Sequence, residues 1–102
     1  MSVNRDDVTN NEAEQRYELR IEGNVALIQY RRTGDTIYYL HTEVPRALEG
    51  RGIAGAMARA ALDEAAQHNL VVVPLCPFVA GYIRKHPEYQ RLVHPDYRID
   101  DA

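Results

Sequence analysis

The chain has 102 residues, of which 45% are hydrophobic, and it carries one cysteine and a formal net charge of −3. A single cysteine excludes an intramolecular disulfide and, without a cluster of Cys and His ligands, argues against a structural zinc site. The acidic balance gives no general attraction to nucleic acid or to anionic lipid, and no apolar run approaches membrane-spanning length. These features indicate one small globular domain over residues 1–102, expected in the cytoplasm, with no metal and with neither nucleic acid nor a membrane as partner.

The first part of the chain predicts two strands that follow a loose tail. Residues 1–14 are polar and acidic, and we expect them to remain a flexible tail outside a folded core of residues 16–92. In the segment 16–22, apolar residues alternate with charged ones, which is the period of a half-buried strand. Gly23-Asn24 then turns the chain into a second strand over 25–32, so that the two form a tight antiparallel hairpin.

A third strand is predicted over residues 36–44, where β-branched and aromatic residues are frequent. It follows the turn at Thr33-Gly34-Asp35 and ends before Pro45, which cannot donate to a ladder. Strict alternation of faces would place His41 and Glu43 on the side that carries Ile37 and Tyr39. The three strands are therefore predicted to form an antiparallel meander.

The most informative stretch joins this strand to the longest helical pattern of the chain. It begins at Val44 and continues through Glu49-Gly50-Arg51-Gly52-Ile53-Ala54-Gly55. Gly50 and Gly52 lack a Cβ, so the backbone can adopt positive φ and come close to a ligand. The first amides of a helix have no intrahelical partner, and the helix dipole favours an anion there. The sequence thus predicts an anion-binding loop, with Arg51 as an additional phosphate ligand.

The rest of the chain predicts a crossover helix, a fourth strand and a second helix. Apolar residues recur at i, i+4 spacing over 53–68, and Asn69 is a suitable C-terminal stop. The apolar run 70–75 predicts a buried strand parallel to the third. A helix then starts with Pro77 in its first turn, and residues 95–102 are expected to be a tail. The predicted class is α/β (α+β).

Two kinds of nucleotide-binding protein share this glycine pattern. Gly50-x-Gly52-x-x-Gly55 matches the dinucleotide fingerprint, but that motif needs an acidic residue at the end of the next strand, and Leu70-Val71-Val72-Val73-Pro74-Leu75-Cys76 has none. By contrast, Glu49-x-x-Gly52-x-Ala54 follows the acetyl-coenzyme A loop of the GCN5-related N-acetyltransferases (GNAT) except at its first position. Together with His41-Thr42-x-Val44-Pro45, Cys76 and Tyr82, it resembles the small single-domain branch of that superfamily.

The resemblance implies a GNAT-like fold that binds acetyl-coenzyme A at the residues from Val44 and Glu49 to Gly55. It also implies direct transfer of the acetyl group to an amine acceptor. His41 would be the base and Glu43 its partner or substitute, while Tyr82 would protonate the departing thiolate. Cys76 has three interpretations, which are a nucleophile, a contact that lines the site and a small buried residue.

Two alternatives use the same residues without catalysis. A coenzyme A-binding module needs the loop but neither His41 nor Tyr82. A protein-interaction domain needs the glycines only to shape a turn.

Overall fold

The computed structural model describes residues 7–98 as a five-stranded sheet with two helices against one face. The strands are β1 (Thr9–Asn11), β2 (Arg16–Ile21), β3 (Asn24–Thr33), β4 (Thr36–Glu43) and β5 (Val71–Pro74). The helices are α1 (Ile53–Gln67) and α2 (Pro77–Lys85), and 3-10 turns occur at Arg46–Leu48, Pro87–Leu92 and Pro95–Tyr97. The strand order is β1-β2-β3-β4-β5, with β5 parallel to β4 and the other neighbours antiparallel. The predicted mixed class and the parallel last strand are confirmed.

The β2–β3 hairpin turns one residue earlier than the sequence analysis predicts. Ile21 pairs with Asn24, and the two turn residues are Glu22 and Gly23, with φ of 54° and 80°. Two positive φ angles are the signature of a type I′ turn, whose twist matches that of the flanking strands. The predicted turn, Gly23-Asn24, shares only Gly23 with the observed one, since a glutamate rarely adopts a positive φ.

A bulge in β4 corrects the predicted facing of its side chains. Tyr39 pairs with Tyr30, but His41 pairs with Gln29, so Leu40 has no opposite residue and the register shifts. Because one extra residue reverses the alternation, the side chains after it change faces. Ile37 and Tyr39 are buried under the helices, whereas His41 and Glu43 lie on the opposite face. The prediction that all four share one side is therefore wrong, although His41 and Glu43 remain together.

Helix α1 forms the main cover of the sheet, and its ends follow the sequence signals. Its buried positions include Ile53, Met57, Ala61 and Ala65, as the i, i+4 pattern predicts. Its C-terminus is a Schellman motif, in which Leu70 N donates to Ala65 O at 2.9 Å and Asn69 N to Ala66 O at 3.2 Å. Asn69 takes a φ of 55°, which confirms it as the stop.

The ladder between β4 and β5 is short, and it ends well before β4 does. Its last pair is Tyr39 with Pro74, after which Cys76 N donates to Tyr39 O at 2.8 Å. Pro74 has no N–H to continue a ladder, and the bulge at Leu40 redirects β4 at the same level. The two strands consequently part here, next to the start of α2.

The polar segments outside the predicted core are partly ordered. Thr9–Asn11 pairs with β2, so the prediction of a loose tail is wrong for this part, while residues 1–6 lie outside the described residues. Its polar side chains bond to Glu64 and Glu18, which supplies the stabilisation that composition alone did not indicate. Pro95–Tyr97 forms a 3-10 turn instead of a tail, and residues 99–102 also lie outside the described range. Within 7–98, neither helix is long and apolar enough to cross a membrane.

Candidate active site

A cleft of about 530 Å³ lies between the start of α1 and one side of α2. Its floor comes from the end of β4 and from the glycine loop, and its wall from α2. The predicted ligand-binding residues that line it are Val44, Glu49, Gly50, Gly52, Ile53, Ala54 and Gly55. The structure thus brings nearly the whole predicted loop into one cavity.

The loop has the backbone conformation that its glycines suggest. Gly50 and Gly52 have φ of 80° and 72°, and Gly52 is the N-cap of α1. No side chain caps this helix among the described residues, so no capping group competes for its first amides. A Cβ built on Gly50 or Gly52 would meet nothing within 4 Å. The glycines therefore leave open space on the cleft side that a side chain would fill.

The α2 wall is one face of a helix whose other face is in the core. Val79 and Ile83 are fully buried, whereas Pro77, Phe78, Gly81, Tyr82 and Lys85 line the cleft. Phe78 is 39% exposed because it faces the cavity. A Cβ on Gly55 would lie 3.9 Å from Tyr82 Cε2, so α1 and α2 approach closely at the cleft floor.

Sequence reasoning missed Leu48, Pro77, Phe78, Gly81 and Lys85 as lining residues. The apolar residues of α2 divide between two faces, since Val79 and Ile83 are buried in the core whereas Phe78 and Tyr82 line the cleft. The spacing 77, 81, 85 together with 78, 82 marks a second stripe at helical period, and this signal could have found them. Lys85 adds a cation at the far end of the cleft.

Tyr82 stacks on His86, with ring centroids 4.1 Å apart and an interplanar angle of 24°. Burial raises the pKa of the Tyr82 phenol. The Arg59 charge has a smaller effect in the opposite direction. The phenol is therefore protonated at neutral pH and can donate a proton into the cleft.

Cys76 lies directly before the α2 wall, at the point where β4 and β5 part. Its side chain is only 2% exposed, and it is the N-cap residue of α2. Sγ lies 3.1 Å from Thr42 Oγ1, which is its one polar contact among the described residues. Cys76 is absent from the cleft lining, although its neighbour Pro77 is present.

His41 and Glu43 form a pair on the opposite side of the sheet. His41 Nε2 lies 3.4 Å from Glu43 Oε2, and the two side chains are 56% and 65% exposed. The residue between them, Thr42, points to the helix side and contacts Cys76. β4 thus presents the pair on one face and the Cys76 contact on the other.

Arg51 does not lie in the cleft with the other residues that were predicted to bind the ligand. Its guanidinium contacts Glu22 Oε1 at 3.3 Å, and it is not among the residues that line the cleft. Arg59 forms an i, i+4 ion pair with Asp63, with Nε 3.9 Å from Oδ2. Across residues 7–98, no group of three or more His, Cys, Asp or Glu side chains could hold a metal ion.

Comparisons with known proteins agree on one family. The family model of the GCN5-related N-acetyl-transferases matches residues 16–92. Protein NATD1 of Gallus gallus is 37% identical over 81 residues, which cover 76% of this chain and 74% of that protein. The human protein NATD1 is 37% identical over 79 residues, which cover 74% and 70% of the two chains.

A solved structure supports the same assignment. The solution structure of a GCN5-like protein from Staphylococcus aureus superimposes with a TM-score of 0.67 at 26% identity, over 85% of this chain and 86% of that one. The strand order, the glycine loop and the cleft described above are thus accompanied by similarity in sequence and in fold. The chain belongs to the family of GCN5-related N-acetyltransferases.

Proposed function

We propose that this protein binds acetyl-coenzyme A in the cleft and transfers the acetyl group to an amine. The observation that carries the proposal is the pair of left-handed glycines at the start of α1, beside open space in a cavity with apolar walls. The first amides of α1 suit a pyrophosphate, and Lys85 at the cleft end suits a further phosphate. The apolar side chains of Phe78 and Ile53 suit the pantetheine arm.

The acceptor amine is proposed to lose its proton to the β4 pair. An amine nitrogen forms a bond to the thioester carbonyl carbon, and its proton passes to His41, with Glu43 holding the imidazole. Both side chains are exposed, so an acceptor can reach them from the face away from the helices. The ladder between β4 and β5 ends at Tyr39 and Pro74, and the amine is proposed to meet the thioester beyond this point.

Breaking the carbon–sulfur bond leaves a thiolate, which needs a proton. Tyr82 is proposed to supply it, since its side chain lines the cleft and a phenol is protonated at neutral pH.

Direct transfer is proposed, with Cys76 as a contact near the site and not as a nucleophile. A nucleophilic thiol needs a base to activate it. The Cys76 thiol instead contacts a hydroxyl, that of Thr42, while His41 lies on the other face of the strand.

Replacing Cys76 with alanine separates direct transfer from an acyl-enzyme. Direct transfer predicts that Cys76→Ala keeps substantial activity and that acetyl-coenzyme A alone leaves the intact mass of the protein unchanged. An acyl-enzyme would add roughly 42 Da, the mass of one acetyl group, at Cys76 and discharge it when an amine is added. Thr42→Val, which removes the hydroxyl partner and keeps the thiol, is the matched control. An adduct on Cys76 that turns over with amine would contradict direct transfer.

A second candidate is a coenzyme A-binding module without catalysis. One observation favours it, namely that His41 and Glu43 are not among the residues that line the cleft. The two candidates differ in product, because only the enzyme forms an acetylated amine above the uncatalysed rate.

A further inference from the structure

A second cavity of about 400 Å³ lies at the other end of α1, away from the glycine loop. It is enclosed by the C-terminal part of α1, by strands β1 to β3 and by the turn before β4. We refer to it as the Glu64 pocket, and its lining comprises Asn10, Glu12, Gln15, Tyr17, Tyr30, Arg32, Gly34, Ile37, Glu64, His68 and Leu70. None of these residues takes part in the proposed transfer.

One oxygen of Glu64 organises the inner wall of this pocket. Asn10 Nδ2 donates to Glu64 Oε1 at 2.7 Å, and the Tyr17 hydroxyl donates to the same oxygen at 3.1 Å. The Tyr30 hydroxyl donates in turn to Asn10 Oδ1 at 2.7 Å. The second carboxylate oxygen, Oε2, accepts none of the hydrogen bonds formed within residues 7–98. A half-buried carboxylate with a spare oxygen therefore faces a polar cavity.

The charges of the pocket favour a cation over an anion. Glu64 is the half-buried charged residue of the lining, whereas Glu12, Arg32 and His68 are exposed. Arg32 Nε already donates to Gly34 O at 3.3 Å. The C-terminal end of α1 adds negative partial charge at the same place. Burial raises the pKa of Tyr30, and the hydrogen bond with Asn10 opposes this rise; the smaller effects of the Glu12 and Glu64 charges raise the pKa further, and the Arg32 charge lowers it.

Aromatic rings complete the site. Tyr17 and Tyr30 pack with ring centroids 5.2 Å apart, and both line the cavity. Ring faces attract cations through their quadrupole, in addition to the carboxylate charge. We infer that the Glu64 pocket is a second binding site, for a small organic cation that carries an ammonium group.

The test is a titration of the full chain with butylammonium, followed in the two-dimensional amide NMR spectrum. Saturable shifts are expected for residues 10–17, 30–37 and 64–70, and not for the glycine loop. Glu64→Gln keeps the hydrogen-bonding shape but removes the charge, so it should weaken binding about tenfold or more, the loss typical of a hydrogen bond to a charged group. Glu88→Gln removes one exposed negative charge elsewhere and should leave binding unchanged.

Neutral butanol and anionic butyrate test the role of charge in the unmodified protein, whatever the variants do to folding. Neither should shift the pocket residues at concentrations where butylammonium saturates them. The inference is overturned if butylammonium gives no saturable shifts in the pocket, if butanol binds equally well, or if Glu64→Gln and Glu88→Gln bind it alike. Because the readout needs neither acetyl-coenzyme A nor catalysis, its failure would say nothing against the proposed transfer.

Discussion

At the scale of single residues, the bulge at Leu40 determines which side chains of β4 are exposed and available for catalysis. The insertion of Leu40 as an unpaired residue moves His41 and Glu43 out to the open face and turns Thr42 toward Cys76. Without the bulge, the imidazole would be buried with Ile37 and Tyr39 under the helices. An exposed histidine held by a carboxylate can exchange protons with an acceptor and with solvent, which a buried one cannot do readily.

The role of His41 predicts a specific change in pH dependence. The value of kcat/KM for transfer to an amine should rise with pH, because a general base acts only in its unprotonated form. His41→Ala should lose this rising limb and about 10²- to 10⁴-fold in rate, the usual contribution of a positioned base. Steady-state kinetics across pH provide the measurement, with His68→Ala, another exposed histidine, as the control. If the profile of His41→Ala is unchanged, the base is Glu43 or water.

At the scale of elements, the edge strand β1 is tied to β2 by a hydrogen bond from Asn11 to Glu18, a carboxylate that also pairs with two arginines of its own strand. This carboxylate is 5% exposed, and it accepts hydrogen bonds from Arg16 Nε, Arg20 and Asn11. The bond from Arg16, which outweighs the cost of burial, lowers the pKa of Glu18. A lowered pKa in the folded state means that the charged form stabilises the protein.

Glu18→Gln should therefore reduce the free energy of unfolding in a pH-dependent way. We expect a loss of about 1 to 3 kcal/mol near neutral pH, as for other hydrogen bonds to charged groups. The stabilisation by the carboxylate is complete above the ordinary pKa of glutamate and disappears as the pH falls through the lower folded-state value. The difference between the two proteins should thus narrow in acid.

Urea unfolding at neutral pH and in acid measures this effect. Glu14→Gln, at an exposed position of the same region, is the control and should change little. If Glu18→Gln loses the same free energy of unfolding at both pH values, the shape of the side chain and not its charge accounts for the stabilisation by Glu18.

Most elements could be predicted because their signals are local. The stop of α1 at Asn69 and the start of α2 at Pro77 follow from the backbone preferences of single residues. The bulge at Leu40 and the pairing of β1 could not be predicted in this way. Both depend on partners distant in sequence, namely Gln29 and Tyr30 for the bulge and Glu64 for Asn10.

The residues of the candidate site also divide into those with local sequence signals and those that depend on contacts distant in sequence. The glycine loop was found from its own residues, since helix start and positive φ are local properties. For the α2 wall, the spacing of 77, 78, 81, 82 and 85 marks a second face of the helix, but that this face borders a cleft depends on α1 packing beside it, as at Gly55 and Tyr82. The position of Cys76 against Thr42 likewise follows from the parting of β4 and β5.

At the scale of the whole molecule, one helix connects two cavities of opposite character. The N-terminus of α1 opens on an apolar cleft with Lys85 at its end, which suits an anionic ligand with an apolar arm. Its C-terminus opens on the polar Glu64 pocket, which suits a cation. This arrangement follows the direction of the helix dipole. The central claim concerns the first of the two cavities.

Calorimetric titration of acetyl-coenzyme A into the protein and two glycine variants tests that claim most directly. Gly52→Val and Gly34→Val each place a branched side chain at a positive φ, of 72° and 60°, with nothing within 4 Å of the new Cβ, so both carry similar backbone strain. Only Gly52 lines the cleft. We predict one-site binding to the wild type and to folded Gly34→Val, and none to folded Gly52→Val. Equal affinity of the two variants, or no binding to the wild type, would contradict the account.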